Sequence, residues 1–367
     1  MITILIYTNC SHIKNLSSTA IKFPKKISTL QVDFILSILE RISMKTNLKK
    51  INPHLVFLLI FLIIIAIIIF KIVAWNNSGI VLDGSTDLAE VPIETNDNFI
   101  PYTPPADYVD DGELNIAFFG NAPFYDDFGK SNNLVEMIGA KLNADVYNLS
   151  FENSYASSAN NILTNDSYDL FSLYWLTTIY TVDNDVIVTK AKDAGLAMTL
   201  EQKSTLSLLQ TLDFNQIDIV TIMYDASDYL AARGMYNRDD SQNITHFAGA
   251  LEASINLIKQ QFPHIQIIVM SPTYAYAVDE DGTYLDSTIV SFEDEGPLPS
   301  YVTYQAEAAY KSFASFVDNY YGSVNVLNAD SYLADNIHLN QKGREIIADR
   351  FIEAYNHYDY YKNKSSN

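Results

Sequence analysis

From Leu114 onward, short apolar segments alternate with longer amphipathic ones, and this alternation limits the possible folds more than any other feature of the chain. Four apolar segments are predicted to be strands, and they read LNIAFFG, ADVYNLS, IDIVTIMY and HIQIIVMSP. Strands that are apolar along almost their whole length are typical of a parallel sheet covered on both faces. The sequence therefore predicts an α/β fold with three layers.

The segments between these strands have apolar residues at helical spacing. Helices are predicted over NLVEMIGAKL, SYDLFSLYWLTTIY, TLEQKSTLSLLQTL and FAGALEASINLIKQQF. A helix over residues 301–322 is expected to lead into a fifth strand, SVNVLN, and a final helix is expected from about Asn340 to His357. The segment after the fourth predicted strand, residues 273–300, is too long for a plain connection. A hairpin around Asp281 and Gly282, with a flap beside it, is therefore predicted there.

Residues 55–75 form an apolar run, LVFLLIFLIIIAIIIFKIVAW, in which Lys71 is the only charged residue. At a rise of about 1.5 Å per residue, this run is long enough to cross a bilayer core of about 30 Å. A buried core helix usually keeps a polar face, and a cleaved signal peptide usually has a shorter apolar region followed by a small-residue site. The run is therefore predicted to be an uncleaved transmembrane helix.

Charge is unevenly distributed on the two sides of this run. The chain of 367 residues has a net charge of −21, yet residues 1–54 contain eight Lys or Arg residues and only two Asp or Glu residues. This excess of positive charge predicts that residues 1–54 stay in the cytoplasm and that the C-terminal domain lies outside it, in a single-pass protein of the cell membrane. Met44 is an alternative start of translation, because a short basic segment follows it directly.

The chain is divided by these patterns into five regions. Residues 1–54 are the predicted cytoplasmic segment and residues 55–75 the anchor. Residues 76–113 are rich in Asp, Thr, Pro and Asn, so an extracytoplasmic linker is expected there. Residues 114–357 are the predicted α/β domain, and residues 358–367 are a polar tail.

The acidic composition of the larger part narrows the choice of partners. Residues 55–367 hold forty-two acidic and fifteen basic residues, and such a surface repels phosphate backbones, so no nucleic-acid partner is expected. Cys10 is the only cysteine, which excludes an intrachain disulfide and cysteine-based zinc or thiol chemistry in the main domain. Neither a metal nor another cofactor is predicted.

An aspartate and a histidine stand three residues apart just before the final predicted helix. They are Asp335 and His338 in the segment DNIHLNQKG. This placement suits a carboxylate that orients a histidine acting as general base. The alternative is a helix-capping aspartate beside an unrelated histidine. In a parallel sheet, functional groups gather at the carboxyl ends of the strands, so the residues after each strand are the further candidates.

Together these features resemble the SGNH or GDSL hydrolase family, whose members are esterases, lipases and carbohydrate deacetylases on a flavodoxin-like sheet. The resemblance covers roughly residues 114–357. The last block of the family, D-x-x-H followed by a helix, matches DNIHLNQKG well. The resemblance thus implies that His338 is the general base and that Asp335 orients it.

The first block of the family is altered in this chain. Its G-D-S sequence, which contains the nucleophilic serine, corresponds to Gly120, Asn121 and Ala122. A methyl group cannot attack a carbonyl carbon, so this correspondence closes the ordinary acyl-enzyme route. Gly120 and Asn121 remain predicted oxyanion or substrate-binding residues.

The two middle blocks are altered as well. The glycine of the second block corresponds to Asn153, which still offers its backbone N–H to an oxyanion. The G-x-N-D block corresponds to residues 225–228, where Ser227 replaces the asparagine and Asp225 adds a carboxylate. Negative charge beside a developing oxyanion opposes its formation. Asn153, Ser227 and Asp228 complete the predicted oxyanion and substrate-binding set.

Three hypotheses for function are compatible with these residues. The first is an esterase or deacetylase acting on acylated cell-envelope glycans with a displaced nucleophile, Ser154 or Ser227. The second is a hydrolase in which His338 and Asp335 act as a general base that activates water directly, with a cation held by Asp225, Asp228 or Asp126. The third is an inactive protein that binds a surface polysaccharide or an envelope protein. Aromatic residues expected at the rim, which could stack on sugar rings, are Phe124, Tyr125, Tyr224, Tyr229, Tyr274 and Tyr276.

Overall fold

A parallel sheet organises the chain. The structure is a computed structural model that describes residues 94–365 apart from 102–103, 107, 110, 182–184 and 294, with side chains as far as residue 357. The strands are β1 (Asn115–Gly120), β2 (Asp145–Asn148), β3 (Ile219–Met223), β4 (Gln266–Met270), β5 (Tyr276–Val278), β6 (Tyr284–Asp286) and β7 (Ser315–Val317). Five of them pair in parallel in the order β2-β1-β3-β4-β7, while β5 and β6 form an antiparallel pair.

This strand order is the one found in flavodoxin-like sheets. The first four predicted strands are confirmed, and the centre of the sheet is covered on both faces as expected, because every residue of β1 and β3 is buried. The order reverses between β1 and β3, which lie side by side with Ile116 opposite Ile219. In open sheets of this kind, ligands bind at the carboxyl ends of the strands next to such a reversal.

Helices cover the sheet on both faces. They are α1 (Ala122–Tyr125), α2 (Leu134–Leu142), α3 (Ser167–Leu170), α4 (Leu173–Thr181), α5 (Val186–Asp193), α6 (Leu200–Thr211), α7 (Ser227–Leu230), α8 (Phe247–Gln261), α9 (Leu298–Lys311), α10 (Asn319–Gly322), α11 (Ala329–Tyr332) and α12 (Gln341–Ser365). Helix α2 packs on α12, and α8 packs on α4 and α9. Since parallel crossovers are right-handed, α2 and the group of α4, α8 and α9 lie on opposite faces, which gives the predicted three layers.

The fifth strand differs from the prediction. SVNVLN is not a strand; β7 is formed instead by Ser315–Val317, and the helix expected over residues 301–322 ends at Lys311. Phe313 has a left-handed backbone with φ of 53°, which stops helical propagation, and the residues of β7 are buried. Helical periodicity in the sequence runs on without a break through this point, so it hid the strand.

The final helix is longer than the sequence pattern predicted. Helix α12 continues past His357, where the sequence pattern predicted its end, to Ser365. In the part of the chain that the structure describes, no helix combines the length and apolar character that a membrane span requires. The predicted anchor at residues 55–75 lies outside the described residues.

Residues 94–100, in the predicted linker, cover the outer edge of the sheet. Asn98 and Phe316 exchange two backbone hydrogen bonds of 2.9 and 2.8 Å in an antiparallel bridge. Asp97 forms an ion pair of 2.5 Å with the largely buried Arg350 of α12. This cover satisfies backbone groups of β7 that would otherwise be exposed at an edge strand.

Gly120 allows β1 and β3 to approach each other closely at the reversal point. A Cβ atom added there would lie 2.0 Å from the backbone oxygen of Met223 and 2.8 Å from the ring of Phe124. The backbone oxygen cannot move without disturbing the sheet. Gly120 is therefore required for packing, and this is the role that the structure gives to a residue predicted to bind substrate.

We expect Gly120→Ala to lower the free energy of unfolding by about 3 kcal/mol, because the methyl group overpacks a rigid backbone contact. Urea denaturation followed by circular dichroism measures this loss. Gly139→Ala is the matched control, since its Cβ would lie 2.8 Å from the side chain of Val146 and no closer than 3.3 Å to a backbone atom, the oxygen of Ala144, so its loss should be smaller. An unchanged midpoint for Gly120→Ala would contradict the close-approach argument.

Candidate active site

The residues that follow β1 and β3 bind each other at the reversal point of the sheet. The Asn121 amide Nδ2 donates a hydrogen bond of 2.7 Å to Oδ1 of Asp225, and the backbone N–H of Asp225 donates one of 2.9 Å to Oδ1 of Asn121. The amide also donates to the backbone oxygen of Ser154. Asn121 and Asp225 are both buried, so the Asn121 side chain serves to join three loops at the floor of the site.

Asp335 and His338 form a hydrogen-bonded pair, and His338 lines the same pocket as Asn121 and Asp225. The distance between His338 Nδ1 and Asp335 Oδ2 is 2.7 Å. The other oxygen of Asp335 accepts the backbone N–H groups of Ile337 and His338 at 2.9 and 2.7 Å, which fixes the carboxylate. With the proton on Nδ1, the second ring nitrogen of His338 is left free to accept a proton. The imidazole is 43% exposed and can be reached from solution.

The loop that carries this pair is held by the predicted hairpin. Strands β5 and β6 form that hairpin around Asp281 and Gly282, as the sequence predicted. The backbone N–H of Tyr276 donates a hydrogen bond of 2.8 Å to the backbone oxygen of Asn336, whose side chain donates back to Tyr276 at 3.3 Å. The long insertion after β4 therefore supports the position of His338.

Arg344 of α12 joins the His338 loop to the loop that follows α1. The guanidinium is buried, and it donates to the backbone oxygens of Leu339 and Asn132 at 2.8 and 2.9 Å. It also forms an ion pair of 2.7 Å with Asp127. The two halves of the candidate site are thus fixed relative to each other by one side chain.

The floor opens into a pocket of about 370 Å³. Ala122 and His338 line its walls together with Asn153 and Ser227. A second pocket of about 400 Å³ adjoins it and shares Asn153 and Ser227 with it, so the two compartments form one cleft. The second compartment extends to the loop at residues 196–198 before α6.

Opposing effects set the pKa of His338. Burial by itself lowers the pKa of this imidazole, but the hydrogen bond to Asp335 and the negative charges of Asp126, Asp335 and Asp225 together raise it above its ordinary value. Burial also acts on Asp335, yet the backbone hydrogen bonds it accepts and its bond to His338 hold its pKa below the usual range. The pair is therefore polarised as an orienting carboxylate and a strengthened base.

Asp126 is a second carboxylate within electrostatic range of His338. Burial raises the pKa of Asp126 to about 6, against the opposing effect of His338 and Arg344. Its loop is rigid, because the amide of Asn133 donates to the backbone oxygens of Phe124 and Asp126. His338 is thus flanked by acidic groups on more than one side.

Of the predicted oxyanion and nucleophile residues, Asn153 and Ser227 line the cleft and Ser154 does not. Asn153 lines both compartments, and its left-handed backbone, with φ of 55°, is one that glycine and asparagine favour. Ser227 also lines both compartments, and its hydroxyl bonds to Asp225. Ser154 is buried and its hydroxyl donates to the backbone oxygen of Phe151 at 2.8 Å, so it does not face an incoming ester.

Asp228 has a structural position. It is buried and accepts hydrogen bonds from the backbone N–H groups of Ala156 and Ser157 and from the Ser157 hydroxyl. Burial raises the pKa of Asp228 while these bonds oppose the shift. The oxygens of Asp228 hold the loop after β2 in place, while its contact with substrate stays a prediction.

The predicted aromatic rim is mostly wrong. Phe124, Tyr224, Tyr229 and Tyr274 are buried in the core, where a sugar ring cannot reach them. These four rings pack against apolar residues of the core. Composition alone does not distinguish an aromatic residue at the rim of a site from one in the core. Tyr125 and Tyr276 from the same set are partly exposed.

The cation hypothesis receives no support from the arrangement of carboxylates. Among the described residues, no group of three or more His, Cys, Asp or Glu side chains is arranged to hold a metal ion. Asp225 and Asp228 instead accept hydrogen bonds from protein donors.

Several residues that matter here were missed in the sequence. The sequence suggests Asp126 only as a cation ligand, and it gives Arg344 and Asn336 no predicted role. Arg344 follows the DNIHLNQKG segment at a spacing of six residues from His338, and an arginine on the apolar side of a helix signals a buried ion pair. Asn336 lies inside the D-x-x-H motif, at one of its two variable positions.

Comparison with known proteins gives matches among solved structures alone. No protein-family model matches the chain, and no curated protein does. A protein from Lactobacillus plantarum has a TM-score of 0.46 and 13% identity, covering 66% of this chain and 95% of its own. A protein from Slackia heliotrinireducens, described as an SGNH hydrolase, has a TM-score of 0.38 and 14% identity, covering 66% and 99%. A carbohydrate acetylesterase from Sinorhizobium meliloti has a TM-score of 0.37 and 12% identity, covering 66% and 99%. At these identities the likeness concerns the fold only.

We expect His338 to titrate above the ordinary histidine pKa of about 6.5. Asp335→Asn and Asp126→Asn should each move the pKa of His338 downward, because each removes a negative charge that favours the imidazolium. Imidazole chemical shifts measured by NMR across a pH series test this without any assay of activity. Glu345→Gln, on the exposed surface of α12, is the control and should leave the titration unchanged. A His338 pKa below 6.5 in the unaltered protein would contradict the assigned pair.

Proposed function

We propose that this chain is an SGNH-like ester hydrolase acting on acylated glycans of the cell envelope, in which His338 activates a water molecule in place of a serine. The proposal is carried by one observation, the complete Asp335–His338 pair on the wall of a pocket that Ala122 also lines. A methyl group in place of a hydroxymethyl group leaves room for a water molecule beside the base. The glycan as substrate is supported by the family resemblance and by the predicted location outside the cytoplasm.

The residues suggest a simple order of events. The free nitrogen of His338 takes a proton from water while the water oxygen bonds to the ester carbonyl carbon. The backbone N–H of Asn153 is the donor available to the resulting oxyanion. As the tetrahedral intermediate collapses, its bond to the alcohol oxygen breaks, and the His338 imidazolium returns the proton to that oxygen. A carboxylic acid and an alcohol are the products.

A second candidate function is binding without catalysis. It is favoured by Asp225, a buried carboxylate bonded to Ser227, because negative charge at this point opposes an oxyanion. On this hypothesis the same cleft would hold an acylated glycan or an envelope protein and release it unchanged.

We expect the purified full-length protein to hydrolyse a small aryl acetate slowly, and His338→Ala to reduce the rate on the order of 10²-fold or more, since a general base contributes about that much. A serine-directed phosphonate should leave the unaltered protein unlabelled. Release of the aryl alcohol followed by absorbance, together with intact-protein mass spectrometry, gives both readouts. Phosphonate labelling of the unaltered protein would replace the water mechanism with a displaced serine such as Ser227.

Ala122→Ser supplies the matched gain-of-function control. If Ala122 stands where a nucleophile would act, the new hydroxyl should become labelled by the phosphonate, and His338→Ala added to this variant should remove the labelling. Absence of hydrolysis in the unaltered protein, with labelling of Ala122→Ser, would favour the binding function. Absence of both would contradict the assigned site.

We also propose that residues 55–75 anchor the protein and that the hydrolase-like domain lies outside the cytoplasm. The apolar run and the basic residues before it support this. In a Cys10→Ser background, Asn367→Cys should react with a membrane-impermeant maleimide in intact cells, while Asn47→Cys should react only after lysis. The opposite labelling pattern would place the domain in the cytoplasm.

A further inference from the structure

The cleft has an unusual charge for a site that must stabilise an oxyanion. Among the described residues that line its two compartments, His338 is the only side chain able to carry a positive charge. Glu152 lines both compartments, and Asp225 lines the one that contains His338. The protein therefore offers negative charge where the reaction creates more of it.

Glu152 is free to bind a ligand. It is exposed, and it has no hydrogen-bond or ion-pair partner among the residues that the structure describes. Its position is set by its neighbours: Phe151 is buried and donates its backbone N–H to the oxygen of Gly120, while Asn153 turns the chain with a left-handed backbone. The carboxylate thus stands at the junction of the two compartments.

Arg233, which contacts Tyr155 of the cleft wall, is not available to offset this charge. The guanidinium of Arg233 lies 3.8 Å from the centre of the Tyr155 ring and donates to the backbone oxygen of Ser157. It also acts electrostatically on the buried Asp228. Arg233 is therefore used behind the wall of the cleft, and it does not line either compartment.

We propose that this cleft selects esters that carry a protonated amine, with the ammonium group held by Glu152 while His338 faces the ester carbonyl. The proposal rests on the proposed hydrolase function and names the substrate class of that same site. An ammonium group near the carbonyl withdraws electrons from it and lies close to the developing oxyanion. The substrate thereby supplies the positive charge that the cleft lacks, and an activated ester suits a site without a serine.

The same charge argument excludes a class of substrates. Polymers with phosphate or carboxylate groups next to the ester would place negative charge against Glu152 and Asp225. Esters on neutral sugars would bind without a partner for Glu152. The amine can belong to the acyl group, as in an aminoacyl ester, or to the alcohol, as in an acylated amino sugar.

The test compares esters that differ only in the charge of the amine. Glycine ethyl ester and its N-acetyl derivative place the amine in the acyl group, while 2-aminoethyl acetate and 2-acetamidoethyl acetate place it in the alcohol. We expect kcat/KM for the amine form to exceed that of its N-acetyl partner by about tenfold in at least one pair, as for a hydrogen bond to a charged group. The pair that shows the preference identifies which part of the substrate carries the amine.

Glu152→Gln should reduce the ratio of kcat/KM for the amine form to kcat/KM for its N-acetyl partner toward one, whatever happens to the overall rate. Glu201→Gln is the matched control. Glu201 is exposed like Glu152, and the negative charges of both residues act to raise the pKa of Tyr125, but Glu201 does not line the cleft. It should keep the ratio of the unaltered protein. Equal kcat/KM values within both pairs, or a ratio that survives Glu152→Gln, would overturn the proposal while leaving the hydrolase function intact.

A binding arm keeps the two proposals distinguishable when no ester is hydrolysed. Glycinamide, N-acetylglycinamide, ethanolamine and N-acetylethanolamine carry the same groups without a cleavable ester, and calorimetry or NMR with the full-length protein measures their binding. Preference for the amine form that is lost in Glu152→Gln would support the ligand class even though the hydrolase function had failed. Absence of that preference would refute the ligand class.

Discussion

Two buried carboxylates after β3 organise the loops on which the candidate site is built. Asp225 binds Asn121, which follows β1, and Asp228 binds the backbone at Ala156 and Ser157, which follows β2. A buried carboxylate is stable only when its oxygens are satisfied, so each one fixes the loop that supplies its donors. The three strand ends that meet at the reversal of the sheet are thus held together by side chains that are not available for chemistry.

This arrangement explains how much of the fold the sequence could predict. Buried parallel strands such as β1 and β3 consist almost wholly of apolar residues, so their positions and the three-layer class follow from the pattern of residues. Strand β7 did not follow, because three buried residues after a helix cannot be separated from helical periodicity until the left-handed turn at Phe313 is known. The docking of residues 94–100 on β7 depends on long-range contacts such as Asp97 with Arg350, which local patterns do not contain.

The candidate site likewise has features that could be predicted from the sequence and features that could not. The pairing of Asp335 with His338 could be predicted because both residues lie in one short segment. The role of Asp228 could not, since its partners at Ala156 and Ser157 are about seventy residues away. Electrostatic effects were the least visible in the sequence: the influence of Asp126 on His338 arises only when α1 and the loop before α12 are brought together by Arg344.

The acidic surroundings of His338 have two opposite consequences for a base that acts on water. A raised pKa makes the imidazole a stronger base, but it also reduces the fraction of molecules in which the imidazole is neutral at pH 7. A ligand that brings positive charge into the cleft would repel the proton on His338 and lower its pKa in the complex. An ammonium group would therefore shift His338 toward its neutral form when the substrate is bound. The same carboxylates would then disfavour a neutral ester and favour a cationic one. The selection of substrate and the activation of His338 would both depend on them.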